Sequence, residues 1–242
     1  MLLIRSSAIV VVFCMFTSVL FGTETKRMNI SFTVVSLDIP APTHAYYYSN
    51  KNDRIDISFK RKLRSENYNY EGPPPLSFLC DQSNRSNTIA NIIIKPRHNQ
   101  KKLLLLFSKN GKATPHESQW HVSIIEDDIE NFSSGELMLF NASGIKVLGL
   151  IKEQEIALRN REFKVFNIHD NEHGYEYMDI KFAAKFNGIY ELIYNNLIAF
   201  DSSARAILVL RPPRRKNSIL IDTWILEDYP KEHFLVSETA LK

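Results

Sequence analysis

Two imidazoles and two carboxylates fall within five residues at His169-Asp170-Asn171-Glu172-His173. Imidazole nitrogen and carboxylate oxygen are ligands for divalent metals, so His169 and His173 are the metal candidates of this chain. The segment lies between the strand-like runs Phe163 to Ile168 and Tyr175 to Phe182, and its spacing matches no zinc pattern. A short polar loop also gives a ligand set little outer support. The reading is a solvated turn: both histidines exposed, no further ligand converging, no metal and no cofactor.

Tyrosines form the second constellation. Tyr46, Tyr47 and Tyr48, then Tyr68 and Tyr70, surround the loop Pro73-Pro74-Pro75. An exposed phenol ring can stack on a sugar or pack a protein partner, which makes Tyr46, Tyr48, Tyr68 and Tyr70 the candidate ligand-binding residues. Neighbours on a strand face opposite ways, so Tyr47 points away from Tyr46 and Tyr48, and packing must account for one of those faces. Trp120 and Trp224 read as core residues in equivalent places of two hairpins.

Catalytic signals are sparse. The chain has no G-x-S-x-G elbow, no H-E-x-x-H, no C-x-x-C pair and, with 8 glycines, no phosphate-cradling loop. No catalytic residue is assigned. Asp179 and Glu191 beside strands are the carboxylates a polysaccharide-acting enzyme would use, although the separation such acids need is set by the fold. Cys80 sits in the apolar run Leu76 to Cys80 and reads as a buried thiol rather than a nucleophile.

A leader sets the compartment. Arg5 precedes the apolar run Ala8 to Phe21, and Gly22 opens a polar segment. These are the parts of a signal peptide, and the run is shorter than a spanning helix requires. Cleavage near Gly22 is expected, with a retained N-terminal anchor as the alternative and a secreted or periplasmic destination in the first case. Cys14 leaves with the leader, so Cys80 has no intramolecular partner and stability must come from burial. Net charge is +3, of which Arg5 supplies one, too little for a dedicated nucleic-acid binder. The basic clusters at Lys60 to Arg64, Lys95 to Lys102 and Arg211 to Lys216 adjoin apolar runs and read as strand ends and turns.

The elements that must position all this are strands. Ile30 to Ile39 alternates and stops at Pro40; short apolar runs then recur at about 8–12 residue spacing with turn signals between them. That pattern predicts an all-β antiparallel sandwich. Lys102 to Phe107 with Trp120 to Asp127, and Arg205 to Leu210 with Ser218 to Asp228, each read as a cation, an apolar strand, a loop and a strand ending in two aliphatics and two acids. Two tandem immunoglobulin-sized modules are therefore expected: leader 1–22, module 23–128, linker 129–135, module 136–242. One large sandwich is the alternative. Both faces of Ile219 to Trp224 carry apolar groups, which predicts a central strand.

The leader, the strand Glu136 to Ser143 and the final hairpin with Arg205 before it resemble uncharacterised secreted β-rich proteins of environmental bacteria. The resemblance implies a fold and a compartment only. The functional expectation is an exported, non-enzymatic interaction module whose partner is a protein or glycan in the envelope or outside the cell. Nucleic acid is not expected, and membrane contact only through an uncleaved leader. A polysaccharide-binding or polysaccharide-acting protein is the alternative.

Overall fold

The computed structural model describes residues 27–38, 40–60, 63–82, 85–109, 120–168, 174–215 and 217–229. Residues 1–26 lie outside these. The first half contributes β1 (Met28–Ser36), β2 (Ala45–Tyr48), β3 (Arg54–Asp56), β4 (Tyr68–Gly72), β5 (Leu76–Gln82), β6 (Arg85–Ile92), β7 (Lys102–Lys109) and β8 (Trp120–Glu126). The second contributes β9 (Glu136–Asn141), β10 (Val147–Ile151), β11 (Gln154–Leu158), β12 (Phe163–Asn167), β13 (Tyr175–Phe186), β14 (Ile189–Asp201), β15 (Arg205–Arg211) and β16 (Asp222–Asp228).

The first half folds into two sheets of order β4-β1-β7-β8 and β3-β2-β5-β6, and the second into β12-β9-β15-β16 and β11-β10-β13-β14. Adding eight to each label of the first pair gives the second. Pairing is antiparallel except β1 with β7 and β9 with β15, which are equivalent parallel pairs. Even the register irregularities correspond, one at Phe78/Leu79 and one at Phe182/Ala183. The chain is thus an all-β fold of two tandem sandwiches with the same topology, and the two hairpins β7–β8 and β15–β16 occupy equivalent places in them.

Alternation explains the layers. On β1, Met28, Ile30, Phe32 and Val34 point into the first core, while Val35 joins a different cluster with Leu104, Leu106, Met138, Phe140, Ile207 and Val209. On β15, Ala206, Leu208 and Leu210 enter the second core, and Ile207 and Val209 turn the other way. The two inner sheets, containing β1 and β9, are therefore apolar on both faces and stack against each other, giving four layers. This is why β7 reads as a continuous apolar run.

Two expectations are corrected by this layering. The strand from Asp222 is an edge strand, not a central one. Ile221, just before it, reaches the second core, while Trp224 and Leu226 fill the seam, so covering layers rather than lateral neighbours account for its two apolar faces. The tryptophans are also not equivalent. Trp120 pairs with Lys109 and belongs to the first core, whereas Trp224 pairs with Val209 and lies in the seam.

One end of the seam is closed by charge. Arg64 Nη1 meets Asp127 Oδ2 at 2.5 Å, and Arg205 Nη1 meets Asp127 Oδ1 at 3.2 Å. Arg205 Nη2 donates to Asp228 Oδ2 at 2.6 Å, and Arg64 Nε lies 3.4 Å from that same oxygen. Two cations and two anions, one of each from either half, alternate around the cluster. Phe132 is fully buried beside it, accepting from Arg205 through its carbonyl at 3.2 Å.

Candidate functional site

The outer sheet of the second half presents its solvent face through its two longest strands. β13 and β14 are joined by Asn187-Gly188, both at positive φ (47° and 89°), as a two-residue turn that keeps the native strand twist. Met178, Ile180 and Phe182 enter the core, and the alternate residues Tyr175, Tyr177, Asp179, Lys181 and Ala183 face out. Across the ladder Tyr177 opposes Ala199, Asp179 opposes Leu197, Ala183 opposes Leu192 and Lys185 opposes Tyr190. Tyr175, Tyr177, Tyr190, Leu192 and Leu197 are all 53–68% exposed.

A groove of about 570 Å³ crosses this face, lined chiefly by Leu148, Leu150, Ala157, Ala183 and Leu192. It owes its shape to two local features. The register shift after Phe182 carries an additional β14 residue, Ile193, and turns Leu192 outward to oppose Ala183. Beneath it, Gly149 leaves room for the Phe182 ring, which lies 2.6 Å from where a Cβ would stand.

The equivalent face of the first half is built quite differently. Tyr46 is 1% exposed: the Arg54 guanidinium lies 3.9 Å over its ring and Tyr48 packs edge-on at 5.6 Å. Arg54 in turn binds Asp56 at 2.8 Å and Asp81 at 2.7 Å. Its hydrogen bond holds the Asp81 carboxyl below the usual carboxylate value. Ser77 and Asn91 are bonded at 2.7 Å on the neighbouring strands. One outer face carries a polar lattice over Tyr46 with Tyr48 part-exposed beside it; the other leaves three tyrosine rings and two leucines open.

The tyrosines singled out in the sequence are dispersed. Tyr46 is covered as described and Tyr48 is 46% exposed. Tyr68 and Tyr70 point into the first core beside Phe32 and Tyr47. Their hydroxyls are engaged there: Tyr68 accepts from the Ser58 N–H at 2.9 Å and Tyr70 donates to the Pro73 carbonyl at 2.6 Å. Tyr48 and Tyr70 do flank a shallow cleft of about 310 Å³ with Pro73 and Pro75, which Tyr46 and Tyr68 do not line. Burial, together with the neighbouring Tyr68, pushes the Tyr47 hydroxyl up to about 12.

His169 and His173 lie outside the described residues. Cys80 is buried and unbridged, its thiol pushed up by burial and then by Asp81. Asp179 is paired with Lys181 at 2.5 Å, while Glu191 opposes Ala184, five positions further along β13. At roughly 3.3 Å per residue that is about 17 Å, beyond the separation of a glycosidase pair. The sequence marks Tyr175 to Phe182 as a strand-like run but not its open face, because alternation alone does not say which side of a strand is covered. The signal available was β14 itself, whose Leu192 and Leu197 fall on the polar side of the alternation. No protein-family model matches the chain, and no curated protein matches it.

Proposed function

We propose that this chain is an exported, non-enzymatic interaction module that docks on a protein partner through the outer face of β11, β10, β13 and β14. The observation that carries this is the difference between two faces of identical topology. Where the first half covers its tyrosine with an arginine–aspartate lattice, the second leaves Tyr175, Tyr177, Tyr190, Leu192 and Leu197 open around an apolar groove. Tyrosine is enriched among the residues that carry binding energy at protein interfaces, and an exposed apolar patch on a folded surface marks an interaction site. The apolar groove favours a protein side chain over a sugar. Polar Lys181 and Asn195 between the rings are what favours the second reading, a polysaccharide ligand on this same face.

A photo-crosslinking residue placed at Tyr177 should capture a discrete partner in the native envelope. The same residue at Tyr48 on the opposite outer sheet should capture none. Loss of the adduct when Leu192→Lys is added supports the face as the docking surface. Equal capture from both positions would remove the reading, and glycan binding abolished by Tyr177→Ala would replace protein with polysaccharide.

A further inference from the structure

The two ends of the inter-sandwich seam are charged in different ways. At one end Arg64 and Arg205 are matched by Asp127 and Asp228. At the other, the C-terminal ends of β1, β7, β9 and β15 open into a cleft of about 310 Å³ whose lining, among the described residues, includes Lys109, Arg161 and Arg211 against one carboxylate, Asp38. We propose that this cleft binds a divalent oxyanion, sulfate or phosphate, carried on a small organic group.

The charge count is what points to an anion. Asp38 Oδ2 already accepts the Lys109 backbone N–H at 2.6 Å. Arg211 has a partner in Asp222, but at 3.7 Å, and the closer bond to Asp222 is made by Arg214 at 2.8 Å. Two arginines thus share one carboxylate, and Arg211 keeps charge to spare. Arg161 makes no ion pair among the described residues. Its backbone is fixed in the left-handed region (φ 71°) by the N–H bond to the Asn141 carbonyl at 2.6 Å, which anchors it at the cleft. Lys109 Nζ stands 5.7 Å from the Trp120 ring. The His121 imidazole on β8 is pushed down by burial and then by the Arg161 charge.

The walls make those cations count. Leu37 and Phe140 are buried at the cleft floor, so the three cations stand around an apolar base. Arginine also presents paired donors that match tetrahedral oxyanions. Ala142 and Pro212 supply the apolar wall on which an organic carrier would rest. The cleft lies at the end of the seam, away from the open tyrosine face, so the two sites are independent.

The full chain would be titrated calorimetrically with inorganic sulfate, inorganic phosphate and phenyl phosphate. Saturable one-to-one binding is expected, with phenyl phosphate tightest. Arg161→Gln and Lys109→Gln should each weaken it about tenfold, whereas Lys51→Gln, an exposed cation in the β2–β3 turn, leaves it unchanged. Both cleft side chains are solvent-facing, so thermal unfolding of the variants should match the parent. No saturable binding of any probe, or binding undiminished in both cleft variants, overturns the site. Equal affinity for inorganic phosphate and phenyl phosphate overturns the organic carrier.

Discussion

Arg205 is 4% exposed along its side chain and sits between Asp127, which is fully buried, and Asp228. Removing one partner of a buried charge pair leaves the other desolvated and uncompensated, at a cost of about 3–5 kcal/mol. Arg205→Ala should therefore lower the urea midpoint strongly, while replacing all four charges by apolar residues of similar size should cost far less. Burial alone would raise the Asp228 carboxyl, but the Arg205 hydrogen bond and the Arg64 charge hold it below its ordinary 3.8. A carboxyl depressed in the folded state contributes stability above the unfolded pKa and loses it as pH falls through the folded value. Stability measured below about pH 4 should then decline with acid, and Asp228→Asn should flatten that decline. An unchanged acid profile in Asp228→Asn would refute the assignment.

At the scale of elements, equivalence between the halves can be tested strand by strand. Leu105 and Leu208 oppose Ile124 and Ile225 in the two hairpins, and both are 0% exposed. Each reaches only its own sandwich core. Leu105→Ala and Leu208→Ala should each cost about 2–5 kcal/mol, because deleted methyl groups leave a cavity that a packed core fills only in part. A negligible loss at either position, read by denaturant unfolding, would mean that its strand is not the centre of a sandwich. Much of this level was legible locally. The period-two runs, the proline stops and the Asn187-Gly188 turn are all consequences of backbone sterics acting within a few residues. The strand from Asp222 lies at an edge where the sequence predicts a central one, because apolar residues on both faces report cover above and below, not neighbours alongside.

For the whole molecule, the seam decides cooperativity. Val35, Leu104, Leu106, Ile207, Val209 and Trp224 bury their side chains in one apolar cluster to which both halves contribute. An inner sheet separated from its partner would expose this apolar layer to water, so the two sandwiches should unfold together. Calorimetry should give one transition with equal van't Hoff and calorimetric enthalpies. Leu106→Asp with Val209→Asp should split it into two, since a desolvated carboxylate in the seam opposes stacking without entering either core. Two transitions in the unaltered chain would show the halves to be independent.

Strand content and the likeness of the two hairpins follow from the sequence alone, because alternation and turn chemistry act over short stretches of chain; that they belong to two sandwiches of one plan, rather than one large sandwich, was decided by the tertiary structure. Arg205 before its strand and the closing aspartates were visible in the sequence as a repeated pattern. That Arg64 would meet Asp127, 63 residues away, was not. Nor did the tyrosines reveal which were closed over by Arg54 and which were left open on β13 and β14. Such outcomes depend on which layer lies against which face. A residue's own neighbourhood in the chain says that a face is apolar or polar; only the stacking of four sheets says whether protein or solvent covers it.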